Sequence, residues 1–256
     1  DFRLTHSLKN KLKTNKTTIG SWITLGHSSI AEIMVKAGFD WLAVDMEHSV
    51  ITMHQAQQLI QIIELSGVTP LVRVGENNPV IIKQVMDAGA HGVIVPMVNS
   101  KEDALRAVSA VKYPPEGTRG VGLARAQGYG LGFEEYRDWV DRESIVIVQV
   151  EHIEAINNLE EILSVEGVDG SIIGPYDLSG SIGLPGEFDT PDMQKALVRY
   201  ENVCQEMGKS MGFHIVQPDS ETTNRYREKG YTFLAVGVDM LYLGKKCGEV
   251  IGKITR

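Results

Sequence analysis

Along this chain, amphipathic stretches give way at regular intervals to a glycine and then to a short run of aliphatic and β-branched residues. The unit recurs as KAGFDWLAVD, DAGAHGVIVP, VEGVDGSIIGP and EKGYTFLAVGVD, with Gly38, Gly89, Gly167 and Gly230 placed as helix C-terminal stops. Each of these units therefore predicts a helix end followed by a strand. Further apolar runs predict strands over 18–24 (TIGSWIT), 70–74 (PLVRV), 145–151 and 210–215 (SMGFHI). Helices fit 52–65, 79–88, 101–111, 153–164, 191–207, 219–229 and the C-terminal stretch. Ser29, with Glu32 three residues on, has the spacing of a capping box opening a helix through Lys36.

The count is eight strands, each followed by a helix. Near-continuous apolar strands are covered on both faces, and their alternation with helices calls for parallel pairing. The expected fold class is α/β, a (β/α)8 TIM barrel, with residues 1–256 forming a single domain. Segment 113–132 (YPPEGTRGVGLARAQGYGLG) breaks the pattern with six glycines, two prolines and two arginines. It reads as a lid or an intersubunit loop, with an ordinary solvent loop as the alternative.

Composition narrows the class. With 43% hydrophobic and 23% charged residues the chain can bury a sizeable core. A formal net charge of -8 argues against a nucleic-acid surface or an anionic membrane as partner. Cys204 and Cys247 fall in predicted helices without a CxxC pattern and are expected as small buried hydrophobes, which implies a reducing, cytoplasmic setting. No run approaches the roughly 18 apolar residues of a membrane span. No charged-then-apolar leader opens the sequence, and the first residue is Asp1 rather than Met, which leaves a removed leader open.

Active sites of such barrels form from the loops that follow the strands, so strand-end residues carry the chemistry. The second strand ends in Asp45 and leads to Glu47 and His48, and the third carries Arg73. The fifth contains Gln149 and ends in Glu151; the sixth runs into Gly174, Pro175, Tyr176 and Asp177; the seventh presents His214. Glu151 and Asp177, following consecutive parallel strands, would lie side by side as hard oxygen ligands for magnesium or manganese, or form a hydrogen-bonded rim. Arg73, a charge within a β-branched strand, needs a partner in the mouth, either as a structural salt bridge or as an oxyanion stabiliser. His48 is a candidate base or a solvent-exposed loop histidine; Asp87, in the helix after the third strand, is its possible orienter or a surface acid.

Other chemistries lose ground. A Schiff-base aldolase needs a lysine in the mouth, yet Lys83 and Lys101 fall on helices and Lys209 precedes a strand. No GxSxG elbow, cysteine nucleophile or HExxH is present. The glycine-rich GPYDLSGSIGLPG lacks a Walker lysine and is only a weak phosphate-cradle signal, though its backbone donors could hold a carboxylate. Metal-assisted proton abstraction remains.

The segments FDWLAVDMEHS, LVRV, KQVMDAG, VPMV, YPPEGTRGVG, VQVEHIEAINNL, GVDGSIIGPYDLS and AVGVD resemble, in order and spacing, the HpcH/HpaI aldolases of the phosphoenolpyruvate/pyruvate barrel superfamily. The resemblance covers nearly the whole chain. It implies a class II pyruvate aldolase that reversibly cleaves a 4-hydroxy-2-oxo acid to pyruvate and an aldehyde through a pyruvate enolate. Glu151 and Asp177 would hold a divalent ion (Mg2+, Mn2+ or Co2+), with no organic cofactor. Arg73 would meet the developing enolate oxygen, and His48 paired with Asp87 would be the base. Asp45 and Glu47 would stand behind the ion, while Gln149, Gly174, Tyr176, His214 and Trp22 would line the substrate pocket. It also implies a role in aromatic or sugar-acid catabolism and a homo-hexamer with 113–132 at a subunit contact.

Two positions depart from better-known members: Tyr176 stands where a small residue is common, and His214 where an aliphatic one is. Both put the choice of aldehyde in question. The remaining alternatives are an oxaloacetate decarboxylase, an acyl-CoA lyase-type member and a catalytically silent barrel that binds a keto acid. A CoA partner would call for a basic groove, which the acidic composition does not favour.

Overall fold

The structure, a computed structural model, describes residues 7–254. Its strands are Thr18–Ile23 (β1), Trp41–Asp45 (β2), Thr69–Arg73 (β3), Gly92–Val95 (β4), Ile145–Val150 (β5), Gly170–Ile173 (β6), Ser210–Ile215 (β7) and Phe233–Val238 (β8). Every strand pairs in parallel with the next, and β8 returns to β1, so the sheet closes into the expected (β/α)8 barrel.

The helices are Leu8–Lys13 (α1), Ser28–Met34 (α2), Met53–Leu65 (α3), Pro79–Asp87 (α4), Lys101–Val111 (α5), Phe133–Glu143 (α6), Ile153–Asn157 (α7), Leu159–Leu163 (α8), Pro175–Ser181 (α9), Pro191–Met207 (α10), Ser220–Glu228 (α11) and Asp239–Gly252 (α12). Gly38, Gly89, Gly167 and Gly230 all sit at positive φ between 92° and 106°, the left-handed stop expected of them.

Period-two alternation along the strands divides the apolar residues into two cores. Trp22, Trp41, Leu71, Ile94, Ile147, Ile172 and Phe233 fill the barrel interior. Leu42, Val44, Val72, Val93, Val148 and Ile173 point outward and pack beneath the helices. Trp41 stacks on Phe233, with ring centroids 4.2 Å apart and planes 6° from parallel. Leu8 and Leu12 of α1 join the inner cluster, and Lys9 bonds the Ser144 carbonyl and Asp169, each at 2.7 Å.

The seam between the first and last strands carries a side-chain fastening at its C-terminal end. Asp239 Oδ2 accepts from the amides of Thr24 and Leu25, each at 2.8 Å, while Oδ1 accepts from Thr24 Oγ1 at 2.6 Å and from Met240 N at 2.8 Å.

Several expectations are corrected. Ser29 does not cap α2; His27 does, its extended backbone bringing Nδ1 to within 3.2 Å of the Ser29 amide. The helix expected over 153–164 breaks at Asn158, which leaves helical geometry and donates its side chain to the Asn99 carbonyl at 2.8 Å. Helices α1, α6 and α9 were not anticipated: the first and last are short, and α6 carries its four apolar positions among seven charged ones. Cys204 is buried as expected, but Cys247 is exposed.

Segment 113–132 is stapled to the helices on the flank of the barrel. The buried Arg119 donates to Asp87 Oδ1 at 2.5 Å and lies 4.7 Å from the ring centre of Tyr113. Arg125 pairs with Glu64, and Gln127 donates to Tyr113 Oη at 2.7 Å. These bonds anchor the segment to the flank of the barrel, while Val121, Leu123, Tyr129 and Leu131 remain exposed.

Gly20 faces the Trp41 indole so closely that a Cβ there would fall 2.0 Å from Cδ2. Gly20→Ala is therefore expected to destabilise the barrel by about 1–3 kcal/mol through overpacking. The measurement is the thermal midpoint, which should fall by roughly 2–4 °C for each kcal/mol; an unchanged midpoint would mean the indole has room to move.

Candidate active site

At the C-terminal end of β2 and β3 the register sets Asp45 opposite Arg73. Arg73 Nε donates to Asp45 Oδ1 at 2.9 Å and Nη2 to Oδ2 at 2.6 Å, a two-bond fork with both partners largely buried. The amides of Glu47 and His48 also donate to Asp45 Oδ1, at 3.0 and 3.2 Å, so the turn after β2 wraps the same carboxylate. Burial alone would raise the Asp45 pKa, but Arg73 and the two amides outweigh it and hold the carboxyl below its ordinary value. Burial likewise opposes the charge on Arg73, and Asp45 more than restores it. The guanidinium carbon lies 4.4 Å from the centre of the Trp22 ring, so the fork is supported from one face as well.

Around this cation three carboxylates feel one another. Glu151, directly after β5, is buried; its Oε1 accepts from the Met97 amide at 2.7 Å and its Oε2 from Gln149 Nε2. Burial raises its pKa, with those two bonds pulling back and the charge of Asp177 adding to the rise. Glu47 is pushed up to about 7, first by burial, with Arg73 opposing and Glu151, Asp45 and Asp177 reinforcing. Its Oε2 lies 3.4 Å from Arg73 Nε yet makes no hydrogen bond. Asp177, in the first turn of α9, is exposed. Glu151 and Asp177 thus follow adjacent strands, as expected, although Asp177 is carried by a helix.

Met97 was missed by the sequence reading. Its amide holds Glu151 while its own φ is 50°, a left-handed conformation unusual for a side-chain-bearing residue, and backbone donation leaves no mark in residue identity. Gly174 is a second close approach, since a Cβ there would lie 3.2 Å from Glu151 Oε2 and 3.5 Å from Gln149 Nε2.

The remaining expected residues divide. The side chain of His48 is 65% exposed, with Nε2 3.8 Å from Glu47 Oε2. The His48–Asp87 pairing implied by the resemblance is not made within the chain, where Asp87 at the end of α4 bonds Arg119 instead. His214 is packed 5.4 Å from Trp22; burial first, then the charge of Arg73, lowers its pKa to about 4. Tyr176 is exposed and meets Phe188 edge-on at 5.1 Å.

The donor set suits a hard cation. Glu47 Oε2 and Gln149 Oε1 are buried without hydrogen-bond partners, and the burial and crowding of Glu47 and Glu151 are of the kind a divalent charge relieves. Among the described residues no group of three or more His, Cys, Asp or Glu forms a ready cage. Two carboxylates would then leave most coordination positions to water and substrate, as magnesium-type sites do.

Comparison with known proteins agrees with this geometry. The chain is 40% identical over 241 residues to 2-dehydro-3,6-dideoxy-6-sulfogluconate aldolase of Pseudomonas putida, covering 94% of this chain and 93% of that protein. It is also 40% identical over 242 residues to 4-hydroxy-2-oxo-heptane-1,7-dioate aldolase of Escherichia coli, covering 94% and 91%. A crystal structure of an HpcH/HpaI aldolase/citrate lyase family protein from Burkholderia cenocepacia J2315 superposes with a TM-score of 0.91 at 31% identity, covering 96% of this chain and 98% of that one. The family profile described as HpcH/HpaI aldolase/citrate lyase matches residues 18–244. By this profile match and these identities, the chain belongs to the HpcH/HpaI aldolase/citrate lyase family.

Proposed function

We propose that this barrel is a carbon–carbon lyase, a pyruvate aldolase that cleaves a 4-hydroxy-2-oxo acid to pyruvate and an aldehyde and runs the reverse condensation. The observation that carries the reading is the Arg73 guanidinium, locked by Asp45 and Trp22 beside Glu47, Glu151 and Asp177 at one strand-end mouth. Cleavage leaves an electron pair on the pyruvate half, and a fixed cation in a partly dry pocket stabilises the resulting enolate oxygen without having to reorganise. His48, beside the mouth, takes the 4-hydroxyl proton that starts cleavage. The first-turn amides of Tyr176 and Asp177 have no partner within α9 and suit the substrate carboxylate. Glu151 and Asp177 would hold magnesium, manganese or cobalt, which supplies Lewis-acid polarisation of the keto oxygen when bound. Asp45 keeps Arg73 in place, and Gln149 keeps Glu151 in place.

The relatives named above are aldolases, and one is named for a 4-hydroxy-2-oxo acid, which supports the reaction class. Among the described residues no helix is long and apolar enough to cross a membrane. A cytoplasmic homo-oligomer acting in sugar-acid or aromatic breakdown is the setting we propose.

The deciding assay incubates metal-stripped protein with pyruvate, an aldehyde panel and added manganese, cobalt or magnesium, following condensation and loss of oxaloacetate in parallel. Condensation that requires added metal is expected; metal-independent turnover would sink the mechanism, and oxaloacetate loss alone would make the protein a decarboxylase. Arg73→Lys keeps the charge but cannot make the fork, so kcat should fall by about 10²–10³-fold. Its manganese affinity, read by calorimetry, should move far less.

Manganese affinity should also depend on pH. The raised pKa of Glu47 means that a proton competes with the cation below about 7. Affinity should therefore climb as pH rises from 5 to 7 and level off above, and Glu47→Gln should flatten that climb. An equally steep profile in the variant would assign the linkage to another group.

A further inference from the structure

Two hydrogen bonds cross in opposite directions between the loop after β4 and the segment after β5. In one, the Met97 amide donates to Glu151 Oε1 at 2.7 Å; in the other, Asn158 Nδ2 donates back to the Asn99 carbonyl at 2.8 Å. Met97 and Asn99 belong to one short loop, and Asn158 lies just beyond α7, the helix that Glu151 leads into. The two clasps therefore close a ring of chain around the carboxylate. The loop has further fastenings: Asp103 Oδ2 accepts from the Asn99 and Ser100 amides, each at 3.1 Å, and Val98 is buried in the outer core. Asn77, in the loop that follows Arg73, donates to the Asp103 carbonyl at 2.8 Å.

Neither clasp is what the stability of the separate elements would choose. Met97 holds φ at 50°, a left-handed conformation that a side chain resists and that persists only where its surroundings impose it. Asn158 stands immediately before α8, where an asparagine ordinarily caps the helix with its side-chain oxygen. It makes no such bond. Its φ of -100° and ψ of 14° lie outside regular helix, and its amide goes to a loop on the neighbouring strand instead. A strained residue and an unused cap thus meet on one loop, and what that loop holds is the Glu151 carboxylate.

We propose that Asn158 is a positioning residue for the cation site: its hold on the Asn99 carbonyl keeps the Met97 amide in the left-handed pose that aims it at Glu151 Oε1. Without that hold the loop relaxes toward negative φ, the amide turns away, and Glu151 keeps only its bond from Gln149. A carboxylate held at one oxygen can swing, and a hard cation with a strict coordination geometry then meets a ligand out of place. Asn158 acts through Met97 and not on the ion. The inference rests on the reading of Glu151 as a ligand of the divalent ion.

The test is calorimetric titration of the full, metal-stripped chain with manganese, with circular dichroism and the thermal midpoint recorded for each variant. Asn158→Leu keeps the size of the side chain but has no N–H to give, and should weaken manganese binding about tenfold. Should that variant fail to fold, Asn158→Asp, which can cap α8 yet cannot donate, takes its place with the same expectation. Leu163→Ala removes buried contacts from the same helix without touching either clasp, so it should lower the midpoint and leave manganese affinity where it was. Adding Met97→Gly to the Asn158 variant should restore most of the affinity, because glycine takes a φ of 50° without being held there. Unchanged affinity on substitution of Asn158, an equal loss in Leu163→Ala, or no recovery in the double variant would each overturn the proposal. Wild-type protein that binds no manganese would instead remove Glu151 as a ligand, and this inference with it.

Discussion

A guanidinium that must carry a positive charge inside a barrel mouth needs a fixed anion on one side and a reason for the other side to stay open. Asp45 supplies the first through two parallel bonds, and the register of β2 against β3 makes the meeting unavoidable. The price is a cluster of acids that cannot all be charged comfortably, and burial first, with that crowding behind it, pushes Glu47 up to about 7. The turn after β2, the face of Trp22 and the placement of Glu47 are all arranged around that one pair.

Most of the fold could be read before any coordinates. Glycine stops and near-continuous aliphatic runs carry the βα grammar in residue identity alone, so all eight strands and helices such as Pro191–Met207 fall where periodicity puts them. What escaped has a common cause. Helix α1 has only two apolar anchors, Leu8 and Leu12, and its meaning comes from the open floor they fill. The cap on α2 passed to His27 because a histidine ring nitrogen can stand in for the usual hydroxyl or carboxylate. Cys247 lies outside the core because its helix leaves the barrel.

The site shows the same division between side chain and backbone. Arg73, Glu151, Asp177 and His214 announce themselves as charged or polar residues at the ends of apolar runs. The Met97 amide that holds Glu151 has no such signature, and neither does the open face that Gly174 leaves beside it. The pairing of His48 with Asp87 could not be judged from spacing, because Arg119 arrives from a distant and irregular segment to take Asp87.

The Asp239 carboxylate has a consequence of its own. It fastens the end of the first strand to the end of the last by three hydrogen bonds at the reactive rim, so the ring is completed there by a side chain and not by the run of the backbone. Continuity of the polypeptide is then dispensable elsewhere around the circle. A break in the chain at a loop on the opposite end of the barrel would leave those three bonds, and the strand pairing beneath them, untouched.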